Sequence, residues 1–292
     1  MKRLLLPVLL VLLASPILAQ RNYKRPPGFN KTRNQALVFL EKQWWLGFRA
    51  GPTLSGAVVN ASHQVITPTN YDPALISKRY RDYRDPGFQA TFEVTFTFRD
   101  LSVSFLPTYR TNRFAYTNTY QWADPEFESH YLELHYEQIS KLAYIDWPLL
   151  VRYEFPLSRV RPYVQAGIYS SLRVDATKTV NPSGLDRASG GDNAFQQEPI
   201  VAGANDLFAK NHWGLAGGGG VFYNLGNVRL SLEVLYKKGM SNIASPDSRY
   251  QNDRLTGVGD VPDDLRLNTI SVTVGCLFPL RFLQSGFKST PD

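Results

Sequence analysis

Apolar and polar side chains alternate between Trp44 and Leu283 in stretches of about ten residues, the length of a membrane-crossing strand. The stretch from Phe88 to Arg99 shows this most clearly. Its apolar face carries Phe88, Ala90, Phe92, Val94, Phe96 and Phe98, and its polar face carries Gln89, Thr91, Glu93, Thr95, Thr97 and Arg99. Because successive side chains of a strand point to opposite sides, the pattern predicts strands with one apolar face.

Eight such stretches follow one another, and the linkers between them are alternately short and long. The predicted strands cover 44–55, 87–99, 101–113, 141–155, 161–174, 212–224, 227–240 and 265–279. The long linkers lie near 56–86, 114–140, 175–211 and 241–264. We therefore predict an all-β fold, an eight-stranded antiparallel up-and-down transmembrane β-barrel with short periplasmic turns and long extracellular loops. A soluble β-sandwich is the alternative, since periodicity alone does not say whether lipid or a second sheet meets the apolar face.

The aromatic residues favour the transmembrane barrel over the soluble sandwich. They make up 13% of the chain, whereas hydrophobic residues make up only 43%. Several stand at the ends of predicted strands, as expected of the aromatic girdles at the two membrane interfaces. These are Trp44, Trp45, Tyr153, Phe155, Trp213 and Tyr223.

The first residues predict export. Lys2 and Arg3 precede an apolar stretch over 4–13 and a short cleavage site at 17–19, which together are typical of a secretory signal peptide. We expect a signal peptide over 1–19, a basic N-terminal periplasmic arm over 20–43, the barrel over 44–283 and a C-terminal tail over 284–292. For an exported β-barrel, we expect a location in the outer membrane of a Gram-negative cell.

Positive charge is concentrated in the arm. The formal net charge is +7, and loss of Lys2 and Arg3 with the signal peptide leaves +5. No nucleic acid is expected as the partner of an exported protein, so anionic lipid head groups, cell-wall polymers or an acidic protein are the candidates. A solvated leader is the simpler interpretation. A short amphipathic helix over 34–42 that caps the periplasmic mouth is a further expectation.

The interior of an eight-stranded barrel is just wide enough for side chains to fill. If apolar positions face lipid, the interior receives equal numbers of basic and acidic residues: Arg49, Glu93, Asp146, Arg152, Glu154, Arg229, Glu233 and Lys237. Unpaired charges in a poorly hydrated interior are costly, so we predict a structural network of ion pairs in the lumen. Hydrogen bonds are expected from Thr95, Thr97, Gln165, Ser231 and Thr273. A proton or small-ion path is the alternative.

The four histidines are the main candidates for catalysis. An enzyme acting on lipid at the outer rim needs a histidine within reach of a serine or a carboxylate. His212 with Asp206, or His130 with Ser129, would supply such a pair, although no spacing enforces either. The acidic and histidine residues over 128–137 are interpreted as a polar strand extension rather than a metal site, because His130 and His135 would face opposite sides of a strand.

Cofactor sites are not predicted. The glycines over 214–220 lack the third glycine of a dinucleotide-binding motif and are followed by no P-loop lysine. We expect them to make room for bulky neighbours, Tyr169 or Arg152. Cys276 is the single cysteine, so it has no partner for an internal disulfide.

Three stretches resemble the PorT-like outer-membrane β-barrel family. Residues 145–153 resemble its acidic-x-Pro-Leu-Leu-x-basic-Tyr strand, residues 161–167 are similar to the next strand, and residues 232–243 to the seventh. The resemblance spans most of the mature chain. It implies an eight-stranded outer-membrane barrel with periplasmic termini, and the founding member is associated with the type IX protein secretion machinery.

The expected function is therefore a non-enzymatic scaffold or accessory subunit of protein secretion or envelope assembly. Outer-membrane lipid is the expected surrounding, and an envelope or secretion protein is the candidate partner. Two alternatives stay open, an outer-membrane lipid-modifying enzyme with a rim active site and a narrow solute or ion pore.

Overall fold

A computed structural model describes residues 42–64, 77–124, 126–127, 129–155, 159–188, 191–225 and 228–280. The predicted signal peptide, the arm up to residue 41 and the C-terminal tail lie outside these ranges, as does the helix predicted over 34–42 except for its last residue. Lys42 begins the first strand, two residues before the predicted start of the barrel. No helix among the described residues is long and apolar enough to cross a membrane.

Strands make up nearly all of the regular structure. In chain order they are β1 (Lys42–Ala61), β2 (Ser77–Arg81), β3 (Pro86–Phe98), β4 (Leu101–Phe105), β5 (Thr108–Ala123), β6 (Tyr131–Glu154), β7 (Val160–Asp186), β8 (Asn193–Gln196), β9 (Ile200–Gly203), β10 (Asn211–Leu225), β11 (Val228–Gly239) and β12 (Asp264–Pro279). One short helix, α1 (Asp253–Thr256), lies between β11 and β12. The strands are rich in the β-branched and aromatic residues that suit a half-buried sheet.

Antiparallel pairing closes the sheet into a ring. β1 pairs with β3 and β12, and the ring continues through β11, β10, β7 and β6. β4 and β5 are consecutive parts of one wall strand. This strand pairs with β3 on one side and with β6 on the other, which completes the ring. The break between β4 and β5 falls at Leu106 and Pro107, where proline has no N–H to donate to the ladder. The described residues thus form eight wall strands, and the predicted antiparallel barrel is confirmed.

An apolar band surrounds the periplasmic half of the barrel. Its outward-facing side chains are apolar over Ile145–Tyr153 on β6, over Val228–Tyr236 on β11 and over Ile270–Phe278 on β12. Val274 on β12 is 64% exposed and Val151 on β6 is 55% exposed, as lipid-facing residues are when no second sheet covers them. Spans of about 9–11 tilted residues cross the hydrocarbon core, so these segments are the membrane-spanning part.

The long linkers were predicted as loops, and this is wrong for large parts of them. β5 continues to Ala123, β6 begins at Tyr131 and β7 continues to Asp186, all within stretches assigned to loops. β2, β8 and β9 add further pairing there. Outside the bilayer both faces of a strand tolerate polar residues, so the alternation disappears although the hydrogen-bonded ladder continues.

Two single positions also differ from the prediction. Trp44 lies in the lipid-facing girdle, but Trp45 is 2% exposed and points into the lumen, because neighbouring residues of a strand face opposite sides. Alternation predicts Arg99 on the polar face of its strand. It lies instead in the turn after β3, with φ of 55°.

Candidate functional site

Charged side chains fill the lumen of the barrel in three groups. β6 contributes Glu154, Arg152 and Asp146 to successive groups, from the periplasmic end outwards. β11 contributes Arg229, Glu233 and Lys237, which lie four residues apart on one face and alternate in sign. All six side chains are buried.

The periplasmic group is built on Glu154. Arg229 Nη1 lies 3.3 Å from a carboxylate oxygen of Glu154, and Arg161 Nη1 lies 3.7 Å from the other. The guanidinium of Arg229 stacks 4.0 Å from the ring of Trp45. Trp45 therefore serves as a cation–π platform inside the barrel rather than as an interfacial anchor.

The middle group contains two arginines and two glutamates. Arg49 on β1 forms ion pairs with both Glu93 and Glu233. Arg152 Nη1 lies 3.0 Å from Glu93, and its guanidinium lies 4.6 Å from the ring of Tyr163. The Tyr163 hydroxyl donates to Glu233 at 2.7 Å. The charges balance within this group, as burial requires.

The outer group is centred on Asp146. Arg110 Nε and Nη2 donate to its two carboxylate oxygens at 2.7 and 3.1 Å. Lys237 donates at 2.6 Å and Ser171 at 2.6 Å. The sequence prediction omitted Arg110, although strand alternation places it on the same face as Thr108 and Asn112.

The structure thus places all eight predicted residues in the lumen and brings them together with Arg110.

The residues predicted to form hydrogen bonds in the lumen differ in the contacts they make. Thr95 donates to Glu93 at 2.7 Å, and Gln165 accepts from Arg152 at 3.1 Å. Thr97 bonds Ser102 instead of a charged group. The hydroxyls of Ser231 and Thr273 form no hydrogen bond with a charged side chain of the described residues.

Glycines of β10 accommodate tyrosine rings from β7. A Cβ added at Gly214 would lie 2.7 Å from Tyr169, and one added at Gly220 would lie 2.6 Å from the Tyr163 hydroxyl. Tyr163 also stacks on Phe222, with 4.4 Å between ring centroids. The expected packing of Tyr169 is confirmed, whereas Tyr163 takes the place that the sequence suggested for Arg152.

An apolar layer crosses the lumen beyond the Asp146 group. Wall residues and residues of the outer loops contribute to it, all buried: Ala57, Phe114, Leu142, Leu207, Phe208, Ile243, Leu255, Leu265 and Leu267. The rings of Phe114 and Phe208 meet edge to face at 6.4 Å. The loops before β10 and β12 therefore fold back into the barrel and fill it.

A second polar group lies outside the membrane, beyond the apolar layer. Lys78 Nζ lies 2.7 Å from Asp263, and Lys178 forms an ion pair with Asp260. The Tyr116 hydroxyl also bonds Asp260. Burial raises the pKa of Tyr116 well above its ordinary value, and the charge of Asp260 raises it further. Burial lowers the pKa of Lys78, although Asp263 acts in the opposite sense. These bonds hold the loop after α1 inside the barrel.

The histidines do not form the catalytic pairs considered from sequence. His212 is 3% exposed and packs against the rings of Tyr144 and Tyr169 at 4.6 and 6.1 Å. His130 packs against Phe127 at 5.3 Å. His135 lies on β6 as part of a polar strand extension. The described residues contain no group of three or more His, Cys, Asp or Glu side chains suited to a metal ion.

The match to a family model agrees with this architecture. The family model described as "Outer membrane protein beta-barrel domain" matches residues 19–245. No curated protein matches the chain. Among solved structures, OprG from Pseudomonas aeruginosa is 14% identical over 82% of this chain and 97% of its own, with a TM-score of 0.37. Neisserial surface protein A is 15% identical over 80% of this chain and 95% of its own, with a TM-score of 0.28. The outer membrane protease OmpT from Escherichia coli is 12% identical over 82% of this chain and 95% of its own, with a TM-score of 0.29.

Proposed function

Because this chain belongs to the outer-membrane β-barrel domain family and resides in the outer membrane, we propose that it is a non-enzymatic scaffold or accessory subunit. The PorT-like resemblance over 145–153 supports a role in protein secretion or envelope assembly. Its acidic and basic motif residues, Asp146 and Arg152, lie in two of the three lumen groups. Their role in this proposal is to rigidify the barrel.

The filled lumen is the observation that carries the proposal. Ion-pair groups occupy the membrane-spanning part, and the apolar layer around Phe114 and Phe208 crosses the lumen above them. A pore needs a continuous hydrated path, and a layer of buried apolar side chains interrupts one. The protein therefore acts through its surfaces rather than through its interior.

The positions of the histidines favour a scaffold over a rim enzyme. A lipid-modifying site needs a reactive group that the lipid can approach. His212 is buried, and the partly exposed His135 pairs with Glu133 at 3.2 Å on a polar strand face. Neither arrangement provides an activated nucleophile next to the apolar band.

The outer extension of the wall is the surface that a partner protein would meet. β5 and β6 remain paired from Arg113 and Lys141 to Ala123 and Tyr131, well beyond the lipid-facing part. At about 3.3 Å per residue, this hairpin projects tens of ångströms along the strand direction. An ordered projection presents a defined binding surface at little conformational cost.

Co-purification from mild detergent tests the proposal. A matched variant shortens the hairpin by replacing residues 121–133 with an Asn-Gly turn, which joins strand positions that are already paired. We expect the intact protein to recover an envelope protein that the shortened variant loses, while both keep heat-modifiable gel migration. Recovery of no partner by the intact protein would contradict the proposal.

Two further measurements address the alternatives. Purified protein should be silent in planar bilayers, and a steady conductance would favour a pore. Outer-membrane lipid from a deletion strain should keep its acylation pattern, and a changed pattern would favour an enzyme. N-terminal sequencing of the mature protein tests the proposed removal of residues 1–19 and retention of the basic arm over 20–43.

A further inference from the structure

Basic side chains collect on the outer wall just above the apolar band. Arg113 on β5 and Lys141 on β6 are direct cross-strand partners, and both face outwards and are exposed. Arg84 is also exposed. It lies beside the same stretch of β5, between the Arg81–Ala115 and Phe88–Thr111 pairs.

This arrangement is unfavourable unless an anion is present. Like charges directly opposite each other on antiparallel strands destabilise a sheet, since their Cβ atoms lie only about 5 Å apart. No ion pair or side-chain hydrogen bond within the described residues involves Arg113 or Lys141. On the neighbouring strand β7, Asp175 pairs with Ala143, two residues from Lys141, and it forms no ion pair with Lys141.

The height of the pair on the wall indicates the kind of anion. Four residues below Arg113 and Lys141 on their strands, Tyr109 and Ile145 are paired and belong to the lipid-facing band. The separation is about 13 Å along each strand. An amphiphile with acyl chains against Tyr109 and Ile145 would carry its head group at the level of the basic pair.

We propose that Arg113 and Lys141, assisted by Arg84, bind the phosphate groups of an outer-leaflet glycolipid. A guanidinium matches the geometry of phosphate oxygens, and the lysine ammonium adds a point charge. The bound phosphate would neutralise the two like charges. The inference depends on the outer-membrane location and not on the scaffold role, so either can fail without the other.

The test uses full-length protein in detergent micelles titrated with bisphosphorylated lipid A and followed by native mass spectrometry. The variant is Arg113→Gln with Lys141→Gln. The charge-matched control is Arg99→Gln with Arg159→Gln, two basic residues in turns at the periplasmic end. We expect an affinity loss of about fivefold for each outer substitution and about 30-fold for both, and no change in the control. Heat-modifiable migration reports the fold of each variant.

The unmodified protein provides a second test, independent of folding in the variants. It should bind bisphosphorylated lipid A more tightly than the dephosphorylated lipid, and binding should weaken as salt is raised. Millimolar inorganic phosphate should not displace the lipid. Equal affinity for the two lipids, unchanged affinity in the outer variant, or displacement by inorganic phosphate would overturn the proposal.

Discussion

Arg110 on β5 holds Asp146 on β6 through two parallel hydrogen bonds, from Nε to Oδ2 and from Nη2 to Oδ1. This fork geometry is the strongest form of a protein ion pair. Because Ser171 on β7 and Lys237 on β11 donate to the same carboxylate, Asp146 connects four strands of the wall. The acidic residue of the PorT-like motif is thus a central contact of the lumen.

Replacement Asp146→Asn should therefore destabilise the barrel. The buried charges of Arg110 and Lys237 would lose their shared counter-charge, a change that costs about 3–5 kcal/mol when a buried ion pair is broken. Urea unfolding in detergent measures the loss. Asp175→Asn, an exposed carboxylate on β7, is the control and should change little. Equal stability of the two variants would show that Asp146 contributes no net ion-pair energy.

Substitutions of two glycines of β10 test whether the glycines are needed to leave space for neighbouring atoms. A Cβ at Gly220 would lie 2.4 Å from the Leu232 carbonyl oxygen and 2.6 Å from Tyr163, whereas one at Gly217 would lie 3.9 Å from its nearest neighbour. Gly220→Ala should cost about 1–3 kcal/mol, as overpacking does, and Gly217→Ala should be close to neutral. Urea unfolding of both variants provides the comparison, and similar losses would contradict the proposed packing.

Alkaline pH should weaken the attachment of the loop after α1. Burial raises the pKa of Tyr120 to about 12, although a hydrogen bond from Asn118 lowers it in part. Its neutral hydroxyl donates to the Gly259 carbonyl at 2.7 Å. A tyrosine with a raised folded-state pKa contributes stability that is complete below its ordinary value of 10 and is lost as pH rises towards 12.

Thermal unfolding in detergent between neutral pH and pH 12 measures this dependence. Tyr120→Phe should be less stable at neutral pH, and its disadvantage should shrink as the wild-type hydroxyl ionises. Tyr250→Phe removes an exposed hydroxyl and is the control. If the wild type and Tyr120→Phe show the same difference at every pH, the hydroxyl of Tyr120 does not stabilise the loop.

The sequence was sufficient for the membrane-spanning part because lipid imposes a period of two. Phe92 and Val94 face outwards while Glu93 and Thr95 face inwards. Counting the stretches with this alternation gives the number of wall strands. The same reasoning would have found Arg110, since Tyr109 and Thr111 face outwards. Outside the bilayer this signal is lost. Asn118 and Tyr120 face inwards beside outward Thr119 and Gln121, so both faces are similarly polar and the strand is hidden.

The apolar layer of the lumen had no sequence signal of this kind. Leu207, Phe208 and Ile243 come from irregular segments without periodicity, and long-range folding alone brings them against Phe114 and Leu142. For Trp45, in contrast, the sequence did contain the signal that gives its position. Its position at a strand end suggested a girdle residue, but alternation from Trp44 correctly places it inside.

Asp260 should control how firmly the outer loop is held. Its carboxylate accepts from Lys178 and Tyr116, and all three side chains are fully buried. Asp260→Asn would leave the ammonium of Lys178 without its counter-charge in this environment, which strongly favours opening of the loop. Arg254 on α1 is exposed and lies six residues before Asp260, so trypsin cleavage after it reports opening.

We expect trypsin to cleave the folded Asp260→Asn variant at least about tenfold faster than the wild type, because cleavage follows the population of the open form. Asp247→Asn, an exposed carboxylate in the same loop, should be cleaved at the wild-type rate. Replacing Lys178 with Met in the Asp260→Asn background removes the unpaired charge and should restore much of the protection. Cleavage of Asp260→Asn at the wild-type rate would mean that the ion pair of Asp260 with Lys178 does not hold the loop closed.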